Sequence, residues 1–388
     1  MRVLMIAPQP FFQERGTPIS IRQRLEVLSR WGYRIDLLTY PLGQEVHLPG
    51  VRILRLRRIP FIRQVPIGPS LRKLFLDILL FFRAWRLLRE RDYDCLHTHE
   101  EGALLGGILR RVFHLPHVYD MHSSLSEQLV NYGVIPPGPL LSLARWGERW
   151  LLRQADVVIA ISPHLGRMAQ QANPQAQVVV IPNRPPLTPG CGSAPRALFP
   201  SSPVVLYAGN FSRNQGLELL LQAMVHVRRE GEDARLLLVG GEPRQIERLK
   251  RLARQLQVGS RVTFLGHRPL TEVARLLEQA TVLVSPRCRG TNPPLKIYSY
   301  LLAGRPIVAT RIPAHTQVLN EEVAVLTEVQ PTALAQGIVR LLRDEPLREQ
   351  LGRKARALAL ANYNEAGFEA CTRAAYQAVK RLGERRSR

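Results

Sequence analysis

Residues 285 to 310, SPRCRGTNPPLKIYSYLLAGRPIVAT, gather Arg287, Arg289 and Lys296 around the small hydroxyl and amide side chains of Thr291 and Asn292. A helix is expected to begin near Pro294 or Leu295. Its first turn would add unpaired backbone N–H groups and the positive end of a dipole. Together these are what an anionic ligand, a phosphate above all, requires; the alternative is a solvated strand-to-helix turn. A second group lies in the first half of the chain. His122 ends the run HVYDMH, where an imidazole can hydrogen-bond a group on which charge develops; the alternative is a capped strand end. His97, His99 and Glu100 sit in HTHEE, and two imidazoles two residues apart on a strand share a face and could meet one ion. No third ligand is apparent, so structural histidines and no metal are expected.

The elements that must position these groups read as two successive α/β patterns. Short apolar runs starting at Arg2, Arg34, Val51, Asp94, His117, Asp156 and Val178 alternate with helical periodicity, as in a doubly wound parallel sheet. The stretch NRPPLTPGCGSAPRALFPSSP then breaks the pattern with Pro, Gly and Ser. Runs starting at Val204, Ala234, Arg261, Ala280, Arg305 and Val323 restart it. The expected division is a first domain over 1–183, a linker over 184–203, a second domain over 204–363, and a helix over 364–388 that is free to return to the first domain. Two such domains in tandem would face each other across a cleft at the carboxyl ends of their strands.

Composition narrows the class. The chain has 388 residues, 45% hydrophobic and 22% charged, and carries 54 Lys and Arg against 31 Asp and Glu for a net charge of +23. A folded protein attracted to anionic partners is expected. Cys95, Cys191, Cys288 and Cys371 lie far apart, which argues against a zinc site or a disulfide framework and suits a reducing cytoplasm. The N-terminal run stops at Pro8, too short for the apolar core of a signal peptide. No run of about 18 uncharged apolar residues offers a membrane span.

Several stretches, in order and spacing, resemble the GT-B glycosyltransferases of family 4 over nearly the whole chain. They are APQPFFQERGTPIS, DCLHTHEEGALLG, HVYDMHSS, VVVIPN, LYAGNFSRNQGLELLLQAM, LLLVGG, RVTFLGHRPLTEVARLLEQATVLVSP and LLAGRPIVAT. The resemblance implies that the second domain binds a nucleotide sugar, that the first binds the acceptor, and that anomeric stereochemistry is retained. It implies that Gly16 and Thr17 form the acceptor or phosphate loop at the start of a helix, and that His122 contacts the donor sugar as the catalytic histidine. It places an Arg and a Lys for the donor pyrophosphate where this chain has Asn210 and Gln215, and two Glu where it has Thr291 and Ser299. The two absent cations and two absent carboxylates cancel in charge, and Arg213, Arg289 and Lys296, with Asn292, are nearby substitutes.

Residues 52 to 91 carry eleven Arg or Lys against Asp77 and Glu90, a net of +9. LRKLFLDILLFFRAWRLL within this segment has the makings of either an interfacial helix on an anionic membrane or a packed helix with a solvated basic face. Nucleic acid is not expected, because aromatic and basic side chains do not otherwise interleave. The expectation is a cytoplasmic, peripherally membrane-bound retaining transferase, without cofactor or metal, moving a sugar from a nucleotide donor to a glycan or lipid-linked acceptor. An inert sugar-nucleotide binding protein and a GT-B-type epimerase are the alternatives.

Overall fold

The structure, a computed structural model, describes every residue except 15, 61, 63, 64, 66–69, 132, 133, 137, 187–201 and 388, and every side chain except those and 131 and 385–387. Most of the expected linker, Cys191 with it, and Arg63 of the basic segment therefore lie outside the described residues. The chain forms two units, Met1–Pro182 with Glu365–Arg388, and Asn183–Asn364.

In the first unit the elements run β1 (Arg2–Ala7), α1 (Gly16–Arg30), β2 (Arg34–Thr39), β3 (Val51–Arg55), α2 (Leu71–Glu90), β4 (Cys95–His99), α3 (Gly102–Phe113), β5 (His117–Met121), α4 (Leu125–Asn131), α5 (Pro139–Arg153), β6 (Val157–Ala160), α6 (Pro163–Ala172) and β7 (Gln177–Val180). The sheet order is β3-β2-β1-β4-β5-β6-β7, all parallel. Strand β1 reads as an unbroken apolar run because helices cover both faces of the sheet, and Val3 to Ala7 are wholly buried. Helix α1 begins at Gly16, so Gly16 and Thr17 are not a loop ahead of the helix but its first turn.

The second unit runs β8 (Val204–Ala208), α7 (Leu217–Arg229), β9 (Arg235–Val239), α8 (Pro243–Gln255), β10 (Val262–Gly266), α9 (Leu270–Gln279), β11 (Val282–Ser285), α10 (Leu295–Ala303), β12 (Ile307–Thr310), α11 (Pro313–Thr316), β13 (Val325–Thr327), α12 (Pro331–Arg343) and α13 (Glu345–Asn362). Its parallel sheet has the order β10-β9-β8-β11-β12-β13. Each sheet reverses direction at a central strand, β1 or β8, and such switch points open a crevice beyond the strand ends. Helix α14 (Glu365–Ser387) then packs on the first unit against β6, β7 and α1. Arg30 pairs with Glu365, and the Trp31 indole N–H donates to Glu369 at 2.8 Å.

Candidate functional site

In the second unit, the loops after β8 and β11 converge on the start of α10. Gly216 has φ +73°, and a Cβ there would fall 1.8 Å from the Pro286 carbonyl oxygen, so only glycine lets the two loops touch. The Cys288 N–H donates to the Asn214 carbonyl at 3.0 Å and ties them. Lys296, in the first turn of α10, extends its ammonium over the Tyr207 ring at 3.8 Å and donates to Gln215 Oε1 at 2.8 Å. The Tyr207 hydroxyl donates to the Asn210 carbonyl at 2.6 Å. Among the described residues no carboxylate pairs with Lys296. Burial, and then the charge of Arg287, holds its ammonium well below the usual lysine range.

The other expected donor residues divide. Gln215 is buried and holds Lys296, whereas Asn210 is exposed and folds a local turn by accepting from the Ser212 N–H and hydroxyl at 3.2 and 2.6 Å. Arg213 and Arg289 are exposed. Arg287 braces the loop instead, donating to the carbonyls of Arg289 and Asn292 at 2.9 Å each. The Thr291 carbonyl accepts from the Gln317 amide, and Asn292 Oδ1 is buried without a hydrogen-bond partner. Ser299 is buried within α10. His315, which sequence reasoning missed, joins Ser285 Oγ at 2.9 Å and the Thr310 carbonyl at 2.8 Å; burial holds its pKa down at about 4, so it is a neutral brace beneath the loop.

The first unit gathers its own constellation at the carboxyl ends of β4 and β5, where His99 lies opposite Asp120 in the ladder. The His97 and His99 rings stack with centroids 4.7 Å apart. Asp120 Oδ2 faces His97 Nε2 at 3.5 Å and His99 Nδ1 at 3.7 Å, and Asp120 Oδ1 faces His122 Nε2 at 3.3 Å. His99 Nδ1 and His122 Nε2 are 3.4 Å apart. Arg24 on α1 reaches the same Asp120 Oδ2 at 3.4 Å and donates to Thr372 Oγ1 of α14 at 2.5 Å. His97 Nδ1 meets the Tyr376 hydroxyl at 2.7 Å.

Burial lowers the pKa of all three imidazoles, His99 most of all, and Asp120 only partly offsets this. They are neutral at pH 7. Burial opposes the Asp120 carboxylate, but His122, Arg24 and the His97 hydrogen bond outweigh it and hold the group well below the usual carboxylate range. With the rings neutral, Arg24 is its fixed countercharge. Glu100 behaves oppositely: burial and the Glu101 charge push its carboxyl up to about 8, while it accepts from Ser123 Oγ at 2.8 Å. The backbone of Glu100 has φ +49°, an unusual conformation for a non-glycine residue at a strand end.

Asp120 is the third group that could meet an ion with His97 and His99, their ligand atoms lying within 4.8 Å of one another. The guanidinium of Arg24 on the same carboxylate disfavours a second cation there, and the cluster reads instead as two hydrogen-bonded pairs, Tyr376 with His97 and His99 with His122, set around the Asp120 carboxylate.

The sequence signature of Glycosyltransferase Family 4 matches residues 15–183, and that of Glycosyl transferases group 1 matches residues 202–344. A phosphatidyl-myo-inositol mannosyltransferase of Mycobacterium leprae is 30% identical over 363 residues, 90% of each chain. The chain belongs to glycosyltransferase family 4. Sucrose-phosphate synthase from Thermosynechococcus elongatus superposes with a TM-score of 0.77 at 25% identity, over 98% of both chains. Anabaena HepE in complex with UDP-glucose gives 0.73 at 16% identity, over 97% of this chain and 100% of that one, and shows the shared fold. The two doubly wound units are those of a GT-B glycosyltransferase.

Some of this transferase's constellation was readable in advance and was missed. Arg24 is flanked at helical spacing by the buried Ile21, Leu25 and Leu28, which puts a charge on an apolar face and demands a buried partner. Asp120 and His122, two apart, share a face by strand geometry alone. Tyr376 and Thr372 had no such signal, because only the return of α14 brings them near β4.

Proposed function

We propose that the protein is a retaining transferase that takes a sugar from a nucleotide-diphosphate donor held by the second unit and passes it to a lipid-linked or glycan acceptor. The observation that carries this reading is the contact of Lys296 Nζ with Gln215 Oε1 at 2.8 Å. Position 215 is where the family resemblance places the lysine for the donor pyrophosphate. Here the cation arrives at that point from α10, and with no acid beside it among the described residues the helix N-terminus and the ammonium together suit an anion. Loss of the nucleotide diphosphate is eased by that charge, and Asn292 Oδ1 offers an acceptor for a donor hydroxyl. Neutral His122, oriented by Asp120 and His99, hydrogen-bonds the reacting sugar. The UDP-glucose complex of HepE and the name of the mycobacterial relative support a nucleotide sugar and a lipid-linked polyol as the substrate classes.

A thermal-shift panel of nucleotides and nucleotide sugars tests this directly, since a ligand at 100 times its Kd stabilises by about 2.7 kcal/mol. A nucleoside diphosphate and its sugar conjugate should raise the midpoint, and the conjugate should lose its sugar to an acceptor with retained configuration. Binding without transfer would mark an inert binding protein, and release of a rearranged nucleotide sugar would mark an epimerase.

Among the described residues no helix is long and apolar enough to cross a membrane. We infer peripheral attachment through α2, whose outward face shows Leu71, Leu74, Phe75, Ile78 and Phe82 beside Arg72, Arg83 and Arg86. The protein should sediment with anionic vesicles, and salt that shortens the Debye length to about 10 Å and below should release it. Equal indifference to anionic and neutral vesicles at low salt would remove this claim.

A further inference from the structure

Of the thirteen large apolar side chains exposed among the described residues, twelve lie on α2, on α3 or between residues 134 and 146, and only Leu360 lies elsewhere. Helices α2, α3 and α5 are successive neighbours in one layer of the first unit. Helix α5 is the least covered of them: of its fifteen residues it buries Glu148 and Leu152 alone. Glu148 is the only acid on the helix, and it is turned inward, accepting from Ser124 Oγ at 2.9 Å, Ser126 Oγ at 2.6 Å and the Leu125 N–H at 2.7 Å. The outward surface of α5 therefore holds Leu140, Leu143 and Trp146, the last two 62% exposed, with Arg145 and Arg149 between and beyond them. Helix α3 repeats the pattern with Leu104, Ile108 and Val112 exposed beside Arg111, and has no acid at all.

We propose that α3 and α5 form a second lipid-contacting footprint, continuous with α2, through which the first unit lies on an anionic phospholipid surface with Trp146 at the boundary of headgroups and acyl chains. The occupant follows from charge. The three helices carry ten Lys and Arg against Asp77, Glu90 and Glu148. Glu148 is buried, Asp77 accepts from the Tyr40 hydroxyl at 2.6 Å, and Glu90 is engaged by Arg86. What faces outward is apolar and cationic. Arginine stems can lie along such a face while their heads meet lipid phosphates, and a tryptophan among them suits the amphipathic boundary. A self-complementary protein interface would need acids to meet these arginines, and this layer presents almost none.

The inference rests on the peripheral-membrane reading of α2, and the experiment separates the two. Purified full-length protein is mixed with vesicles of phosphatidylglycerol and phosphatidylcholine, with bromine-labelled acyl chains to quench tryptophan. Wild-type emission should be quenched, and Trp146→Phe should lose most of that quenching while still binding. Leu143→Asp with Trp146→Asp, both at exposed positions, should weaken vesicle binding about tenfold or more while leaving nucleotide binding and the thermal midpoint unchanged. A pair of α2 variants, Phe75→Asp and Phe82→Asp, provides the comparison. Loss of binding in the α2 pair but not in the α5 pair would overturn the second footprint and leave α2 standing; failure of the wild type to bind any vesicle would overturn both. Sedimentation showing a dimer that the α5 substitutions dissociate would assign this face to a second copy and overturn the lipid proposal.

Discussion

Lys296→Met should weaken nucleotide binding by about ten- to hundredfold and at the same time raise the thermal midpoint of the ligand-free protein. The first effect is the loss of a charge-assisted phosphate contact, worth about 1.5–3 kcal/mol. The second follows from the same geometry. An ammonium drawn in over the Tyr207 ring, with Gln215 as its hydrogen-bond acceptor and no carboxylate beside it among the described residues, is desolvated without a countercharge, and methionine fills similar space without that cost. The pH dependence has a definite sign. The folded-state pKa of Lys296 lies well below the ordinary 10.5, so the unfolded chain binds the proton more tightly. The penalty is full below the folded value, is relieved as pH rises from there toward 10.5, and is absent above it. Wild-type stability should thus gain on that of Lys296→Met as pH rises through this window. Calorimetric titration with a nucleoside diphosphate and midpoints across alkaline pH provide the check. Arg289→Ala should weaken binding less, because that side chain is exposed and screened. Unchanged affinity in Lys296→Met would place the anion site elsewhere.

Removing the imidazole of His122 should lower the rate of sugar transfer by about 10²–10³-fold while leaving nucleotide affinity intact, the loss typical of a single transition-state hydrogen-bond donor. His122 is 7% exposed and contacts Asp120, so His122→Ala also leaves part of a buried network unmet. A stability loss of about 1–3 kcal/mol is expected, a drop of several degrees and more than the surface-like change that its place at a strand end suggests. Because burial keeps the imidazole neutral near pH 7, its own titration should leave no inflection near 6.5 in the rate profile. Rates must be expressed per folded molecule, and His122→Gln, which keeps a hydrogen-bonding group, should recover stability more than rate. Full activity per folded molecule in His122→Ala would reduce the residue to a structural role.

The alternation of apolar runs with helical periodicity made the strands legible, because a parallel sheet buried on both faces must write each strand as a continuous apolar stretch. The edges of α1 were less legible: Gly16 and Thr17 read as a loop before Pro18, but proline is at home within a first turn and the helix starts ahead of it. In the second unit, the sequence showed that Lys296 was near the loop after β11. It could not show that the ammonium would meet Gln215, since residues 81 positions apart are joined only by the closing of the sheet. Arg287 and Arg289 look alike in sequence, and the fold gave the bracing role to one and left the other in water.

Helix α14 gives the order of synthesis a bearing on the order of assembly. Arg24, Trp31 and His97 find Thr372, Glu369 and Tyr376 only after the whole of the second unit, residues 183–364, has left the ribosome. At about 5–20 residues per second that interval is roughly 10–40 s. Through it, the buried Arg24 and Asp120 pair and the outer side of β6 and β7 wait without their cover, while the second unit, whose elements are contiguous in the chain, can complete itself. The half of the protein made first is the half finished last. A chain cut short after residue 364 and released from the ribosome should therefore hold a protease-resistant second unit tethered to a first unit that chaperones still recognise.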